Sequence, residues 1–380
     1  MKFTLRHLAW PALLIACAML PASTDLSAQD STEMHAAAGG TLTAEPKAKA
    51  SKKPVKKKAA KKGPPPIPAK VLFGAAKSPA PLAARAIGFY AKGCLAGAKA
   101  ISIDGPAWQV MRLSRNRNWG HPSLVALVER LAKEGAAHDG WPGLLVGDIS
   151  QPRGGPMLTG HASHQIGLDA DIWLTPMPDR RLSDKEREDL SATSMLADDR
   201  VSINPQAWTE AHGRIILRAA SYPQVERVLV HPAIKKAICD NKSLPRAHLN
   251  KVRPYWGHYF HMHIRMACPK DSPTCTPQPV VGSEDGCGKE VDEWIARMKR
   301  IYAPRPPVDP KIVQPKPKPK PKPPETTLAD LPPECRVVIG NTSPPGPSPV
   351  ADVTKPEVAK PDDDAENAEP AAPAVAGGKK

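Results

Sequence analysis

The chain has 380 residues, with 53 Lys and Arg against 38 Asp and Glu, which gives a formal net charge of +15. Much of this charge lies in tracts that cannot bury an apolar core: residues 47–70 are rich in Lys, Ala and Pro without a single acid, and residues 316–322 alternate Lys and Pro. The N-terminal tract is either a solvated spacer or an electrostatic contact for anionic polymers or lipid head groups. The charge therefore gives no support to nucleic-acid binding.

The N-terminus resembles an export signal, which we place at residues 1–28. An apolar run at 8–20 follows two basic residues, and residues 26–28 resemble a small-residue cleavage site. The run is too short, and too interrupted by Pro11, to make a good membrane span. Lipidation of Cys17 is the alternative, and it is disfavoured because apolar residues continue past that cysteine.

Composition divides the rest of the chain into one folded domain and its flanking segments. Residues 29–70 are expected to be disordered, and residues 71–303 have the length of a single domain. Residues 304–335 are rich in Pro and Lys, and we expect them to wrap the domain as an extended strap that ends in a disulfide cysteine. Residues 336–380 are expected to form a disordered tail.

Six cysteines remain after Cys17, and an even number in an exported protein predicts disulfides. They allow about 15 complete pairings, so their number alone does not select one. Only Cys268 and Cys275 are close enough in sequence to suggest a small closed loop. A thiolate zinc site is not indicated, because no Cys-x-x-Cys pair occurs.

Apolar spacing predicts a mixture of helices and strands. A helix is predicted after Pro122, and another is predicted to begin at Asn204-Pro205. Strands are predicted at 144–149, 168–174, 227–230 and 259–266. Because the order lacks regular helix–strand alternation, we expect an α+β fold. Its small antiparallel sheet would be flanked by helices and cross-linked by disulfides, with disordered N- and C-terminal tails.

Five of the 12 histidines fall in two short segments, at 160–171 and 256–265. Alternate side chains of a strand point to opposite faces, so His261 and His263 share one face of their strand while apolar residues occupy the other. Imidazole and carboxylate groups are the ligands of catalytic zinc. The smallest ligand set we predict is His164, Asp171 and His263, with Zn²⁺ as the cofactor.

The remaining clustered histidines are candidates for proton transfer and for support of the metal. We expect His261 to act beside the ion as a base or oxyanion stabiliser, and His258 to take the complementary role. His161 is either a further ligand or a group that orients a ligand without binding the metal itself. A lone histidine is more often structural, but this clustering makes coincidence a weak explanation. The chain has neither a His-Glu-x-x-His helix nor a Gly-x-Ser-x-Gly elbow, which leaves a serine mechanism without its usual parts.

At these motifs the sequence resembles the penicillin-insensitive murein endopeptidases, within the wider group of lysostaphin, D-Ala-D-Ala carboxypeptidase and hedgehog-type metallopeptidases. The wider group is marked by His-x6-Asp at 164–171 and His-x-His at 261–263. The narrower match is Gly-His-Ala-Ser-His at 160–164 and Lys-Val-Arg-Pro at 251–254. The resemblance implies a zinc enzyme that hydrolyses D-alanyl–meso-diaminopimelyl cross-links of periplasmic peptidoglycan.

The resemblance also implies roles for particular residues. It places zinc ligands at His164, Asp171 and His263, with His161 also at the metal. It further implies three disulfides: Cys94–Cys335, Cys239–Cys287 and Cys268–Cys275. Family members can hold a second metal through an Asp-x-x-His element, but here Asp199 is followed by Ser202 in place of the histidine, which puts that site in doubt.

Two alternatives stay open from the sequence. The same metal core would serve a D,D-carboxypeptidase acting on uncross-linked stems, or a non-catalytic zinc-containing module that binds the wall. Arg253 and Lys251 precede the second histidine segment and either bind substrate carboxylates or form a plain basic loop. The sequence does not indicate an oligomeric state.

Overall fold

A seven-stranded sheet forms the centre of the computed structural model, which describes residues 66–304 and 324–340. The predicted export signal, most of the Lys-rich segment, the Lys-Pro alternation and residues 341–380 of the predicted tail lie outside the described residues. The first five residues of that predicted tail, 336–340, are helical. The helices are α1 (Ala69–Ala75), α2 (Pro122–His138), α3 (Asp184–Asp189), α4 (Glu210–Ser221), α5 (Pro232–Asp240), α6 (Lys289–Tyr302) and α7 (Glu334–Gly340). Among the described residues, no helix combines the length and apolar character needed to cross a membrane.

The strands form one large sheet and two small ones. They are β1 (Arg85–Phe89), β2 (Lys92–Ala96), β3 (Lys99–Ala100), β4 (Asp104–Gly105), β5 (Trp108–Val110), β6 (Trp119–Gly120), β7 (Leu144–Val146), β8 (Asp169–Trp173), β9 (Val225–Val230), β10 (Val252–Pro254) and β11 (His261–Met266). The large sheet has the order β10-β9-β11-β8-β7-β5-β4, while β1 pairs with β2 and β3 with β6. This mixture agrees with the predicted α+β class.

The large sheet is mixed, whereas the sequence led us to expect an antiparallel one. Its central strand β11 runs antiparallel to both β8 and β9. The pairs β9–β10 and β5–β7 are parallel, because α5 and α2 respectively lie in their connections and return the chain to the same end of the sheet. The predicted strands themselves are confirmed, with ends that differ by up to three residues.

Helix α4 begins five residues later than Asn204-Pro205 predicted. Asn204 accepts a hydrogen bond from the backbone N–H of Gln206 at 3.0 Å, so these residues form a turn. The helix begins at Glu210, where His212 Nδ1 accepts a hydrogen bond from the backbone N–H of Thr209 at 3.0 Å. The helix predicted after Pro122 is confirmed, with His121 as its cap.

Both faces of the two central strands are buried. The apolar residues of β11 and β8, such as Ile264 and Ile172, pack in the main core. The opposite face is also covered, since His261, His263 and Arg265 are only 2%, 3% and 7% exposed. The face of β11 that carries the histidines is therefore covered by protein rather than open to solvent.

The structure joins all three cysteine pairs that the resemblance implied: Cys94–Cys335, Cys239–Cys287 and Cys268–Cys275. The first connects α7 to β2. Arg153 strengthens the same contact, because its Nη1 donates to the carbonyl of Val338 at 2.6 Å. The end of the predicted strap is thus fixed against the hairpin β1–β2.

Candidate metal centre

The centre of the site is Asp171, which the register of β8 and β11 places directly opposite His263. Side chains opposite each other in an antiparallel pair lie about 5 Å apart at Cβ. Here His263 Nδ1 is 3.1 Å from Asp171 Oδ1, and His261 Nε2 on the same face is 3.7 Å from that oxygen. The two-residue period of the strand therefore delivers both imidazoles to one carboxylate.

His164 reaches the same carboxylate from the loop before β8. Its backbone is left-handed, with φ of 65°, and Ser150 Oγ donates to its carbonyl at 2.6 Å. Its ring Nδ1 donates to the carbonyl of Ile149 at 2.7 Å. That bond leaves Nε2 as the nitrogen that can coordinate a metal once its proton is displaced, and Nε2 lies 3.5 Å from Asp171 Oδ1.

His161 is oriented by a carboxylate that the sequence analysis did not single out. Its Nε2 is 3.1 Å from Asp148 Oδ2, which also accepts a hydrogen bond from Arg117 at 2.7 Å. Its Nδ1 therefore faces the site, 3.5 Å from Asp171 Oδ2. A carboxylate behind a histidine ligand fixes the ring orientation and increases the basicity of the ring.

Asp169 provides a second support of this kind. Its carboxylate accepts from Arg265 Nε at 2.7 Å and Nη2 at 3.1 Å, and from the backbone N–H of His164 at 3.0 Å. His263 Nε2 lies 3.1 Å from the same group. Asp169 thus ties the loop carrying one predicted ligand to the strand carrying another.

His258 approaches from the segment between β10 and β11. It has a left-handed backbone with φ of 55°, and its Nδ1 donates to the carbonyl of Trp256 at 2.6 Å. Its ring centroid lies 5.0 Å from that of His261 and 5.6 Å from that of His263. The structure therefore brings all five clustered histidines to one place.

Burial and charge determine the protonation states in the site. Burial opposes ionisation of Asp171, but the neighbouring histidines, His164 first, outweigh it and hold the pKa of Asp171 well below its usual range. Burial likewise disfavours imidazolium at His164, but Asp171 outweighs it and raises the pKa of His164. Burial, together with His261 and His263, holds the pKa of His258 well below its usual value. The site therefore combines a firmly ionised carboxylate with a neutral His258.

The donor set fits a metal ion. His161, His164 and Asp171 offer ligand atoms that all lie within 4.8 Å of one another. His164 Nε2 and Asp171 Oδ1 are buried and have no hydrogen-bond partner among the described residues, which is costly unless a cation binds them. Two or three imidazole nitrogens with one carboxylate are typical zinc ligands, and binding would displace the proton from His164.

A cavity of about 890 Å³ opens beside the cluster, with His263, His258 and Arg253 among the residues of its wall. Arg253 also pairs with Glu290. Lys251 does not reach this wall; its Nζ donates to the carbonyl of Tyr222 at 3.1 Å. A much smaller cavity is lined by Asp148, His161, Asp171 and His261, among others. The candidate metal centre thus borders both a wide cleft and a narrow one.

The carboxylate of Asp199, the candidate ligand for a second metal, is already hydrogen-bonded within a local turn. It accepts from the backbone N–H groups of Val201 and Ser202 at 2.9 and 2.8 Å, and from Ser202 Oγ at 2.8 Å. Ser202, at the position where the resemblance implied a histidine, therefore hydrogen-bonds to the aspartate itself. Within residues 66–304 and 324–340, the structure brings together one group of three possible metal ligands, which consists of His161, His164 and Asp171.

The sequence analysis missed the charged groups behind the ligands. Asp148 stands alone between β7 and the first histidine segment, so no spacing drew attention to it. Asp169 lies two residues before Asp171 on the same face of the strand, and it was not singled out either. The available signal was a pair of charged residues. Asp169 lies two residues before the predicted ligand Asp171, and Arg265 lies two residues after the predicted ligand His263.

Comparison with known proteins identifies the family of the chain. The family model described as penicillin-insensitive murein endopeptidase matches residues 86–340. A penicillin-insensitive murein endopeptidase of Haemophilus influenzae is 42% identical over 211 residues, which are 55% of this chain and 72% of that protein. One of Salmonella typhi is 39% identical over 217 residues, which are 57% of this chain and 78% of that protein. The chain therefore belongs to the family of penicillin-insensitive murein endopeptidases.

Proposed function

We propose that this protein is a zinc-dependent endopeptidase that hydrolyses D-alanyl–meso-diaminopimelyl cross-links in peptidoglycan and is insensitive to penicillin. The observation that carries the proposal is the convergence of His164, Asp171 and His263 at the base of the 890 Å³ cleft. The names of the family and of its relatives support murein as the substrate. Their insensitivity to penicillin fits a chain that lacks the motifs of a serine acyl-enzyme.

In this proposal His164, Asp171 and His263 hold the zinc, with His161 as a further ligand or support. When bound, zinc supplies Lewis-acid activation of a peptide carbonyl and of water at neutral pH. The buried support from Asp148 and Asp169 holds the imidazoles in position, so little reorganisation is needed when substrate arrives.

Proton transfer is assigned to His258, and stabilisation of the developing negative charge to His261. Because His258 Nδ1 donates to the carbonyl of Trp256, its Nε2 is the nitrogen that can accept a proton in the cleft. Its lowered pKa keeps it neutral at physiological pH, as a general base must be. His261 lies across from it and is assigned to the developing oxyanion.

The setting of the reaction is also part of the proposal. We place the mature protein in the periplasm after removal of residues 1–28, with the Lys-rich segment as a solvated spacer that can also contact an anionic wall or membrane surface. In this proposal the protein binds peptidoglycan cross-link peptides and does not bind nucleic acid.

The test is a digest of purified, zinc-loaded protein with cross-linked muropeptide dimers, read by mass spectrometry. Chelation should abolish cleavage and zinc should restore it. His164→Ala should be inactive, whereas His138→Ala, the same change at an exposed histidine, should retain activity. Cleavage that persists after complete metal removal would contradict the proposal. Release of terminal D-Ala from pentapeptide monomers, with intact dimers, would identify a carboxypeptidase instead.

A further inference from the structure

The wall of the large cleft carries an arginine that the proposed chemistry does not use. Arg227 on β9, Arg253 on β10 and Arg265 on β11 all line the cavity. In the sheet, Arg227 lies opposite Arg265, and Leu229 lies between Arg253 and His263. Three neighbouring strands therefore present three guanidinium groups to the space beside the metal ligands.

Two of these arginines are already neutralised. Arg265 makes a double hydrogen bond to Asp169, and Arg253 pairs with Glu290. Arg227 is different, because it makes no ion pair with a carboxylate of the described residues. The carboxylate of its neighbour Glu226 instead accepts from Tyr90 Oη at 3.4 Å. Of the three arginines, Arg227 is thus the one without an ion-pair partner at contact distance among the described residues, and its sequence neighbour Glu226 offsets part of its charge.

The contacts of Arg227 hold its guanidinium in place without satisfying it. Its Nη1 donates to Gln278 Oε1 at 2.7 Å, and its Nη2 donates to the carbonyl of Pro279. Both acceptors are neutral, and an arginine has about five N–H donors. Its Nε is buried and has no acceptor among residues 66–304 and 324–340. A fixed, partly unsatisfied guanidinium is suited to receive a carboxylate.

The position of Arg227 relative to the metal ligands is set by the sheet. It lies one strand away from His263 and two residues along, which corresponds to about 8 Å between Cα atoms. An arginine side chain that extends from there into the cleft can meet a charged group next to a peptide bond held at the metal. In a D-alanyl–meso-diaminopimelyl cross-link, the carbon bonded to the scissile nitrogen also carries a carboxylate.

We propose that Arg227 forms a subsite for this free carboxylate and makes the enzyme selective for cross-links in which it is not amidated. The inference rests on the proposed function and assigns the substrate's anionic group to a residue of the cleft wall. Arg227 acts here by binding and takes no part in proton transfer.

The experiment uses two muropeptide dimers that differ only at this position, one with a carboxylate and one with a carboxamide. For the zinc-loaded protein, kcat/KM should favour the carboxylate by about tenfold to a hundredfold, as expected for a charge-assisted hydrogen bond. Arg227→Gln should raise KM for the carboxylate substrate by this factor and leave the amidated substrate unchanged. Arg227→Lys should retain part of the preference, and Arg130→Gln, a surface arginine on α2, should retain all of it.

The outcomes separate this subsite from the function itself. A purely structural role for Arg227 would lower activity on both dimers equally, which would overturn the proposal. Equal cleavage of both dimers by the unaltered protein would also overturn it, while leaving the endopeptidase function intact. If the zinc-loaded protein cleaves neither dimer, the proposed function fails. Should Arg227→Gln not fold, the unaltered protein and Arg227→Lys still decide the question.

Discussion

Replacement of Asp169 by Asn should destabilise the protein more than the loss of one hydrogen bond. The carboxylate is fully buried and accepts from Arg265 Nε and Nη2 and from the backbone N–H of His164. Burial disfavours its charge, but Arg265 first and then His263 outweigh this and hold the pKa of Asp169 far below its usual value. The isosteric amide would leave the guanidinium of Arg265, which is 7% exposed, without a counter-ion.

The expected loss is about 3–5 kcal/mol in the free energy of unfolding, the range for removing one partner of a buried ion pair. Because the folded pKa is depressed, this stabilisation is present at neutral pH and is lost as the pH falls below about 4, the unfolded pKa of Asp. Asp169→Asn should therefore flatten the dependence of stability on pH in the acid range.

The assay is urea unfolding of metal-free protein with its disulfides intact, at pH 7 and at intervals down to pH 3. Asp240→Asn, which breaks an exposed ion pair with Lys236, is the matched control and should change stability far less. In the Asp169→Asn background, Arg265→Met should recover part of the loss by removing the orphaned charge. A loss below about 1 kcal/mol for Asp169→Asn at pH 7 would refute the reasoning, since a single neutral hydrogen bond would then account for it.

Three further predictions concern Asp148, the Cys94–Cys335 disulfide and Arg253. Asp148→Asn should weaken zinc affinity by about 10-fold to 100-fold, because His161 loses its orienting carboxylate; competition titration with a chelating dye measures this. Joint replacement of Cys94 and Cys335 by Ser should lower the free energy of unfolding by about 5 kcal/mol in the chain-entropy account, and an unchanged urea midpoint would contradict it. Arg253→Ala should raise KM for a carboxylate-bearing dimer less than Arg227→Gln does, because Glu290 already neutralises Arg253; an equal or larger increase would reverse the order of importance.

The strands that carry the ligands were predictable because their signal is local. The alternation of histidine and apolar residues in 261–266 indicates both a strand and the side that faces the site. The helix after Pro122 was predictable for a similar reason, since its apolar residues repeat at helical spacing. The clustered histidines and carboxylates of 160–171 indicated the partner segment, and the motif resemblance implied the same ligand set.

The rest depends on contacts between distant parts of the chain. Strands β5 and β10 have three residues each, too few for a period to be visible, so both parallel pairs escaped prediction. Asp148 acquires its role only when the loop after β7 meets His161. Asn204-Pro205 carries a helix-start signal, yet the side chain of Asn204 engages the backbone locally and makes a turn instead.

The bond between Cys94 and Cys335 turns most of the domain into a covalent ring. The two cysteines are separated by 241 positions, and both segments that bear the clustered histidines lie inside that interval. A protease that cuts once between them opens the ring but releases no fragment until the bond is reduced. Cleavage within 305–323 would therefore leave α7 attached to β2, with Arg153 still in place to bond the carbonyl of Val338. Such a nicked molecule should migrate as two pieces only under reducing conditions, and it should retain a complete set of ligand residues.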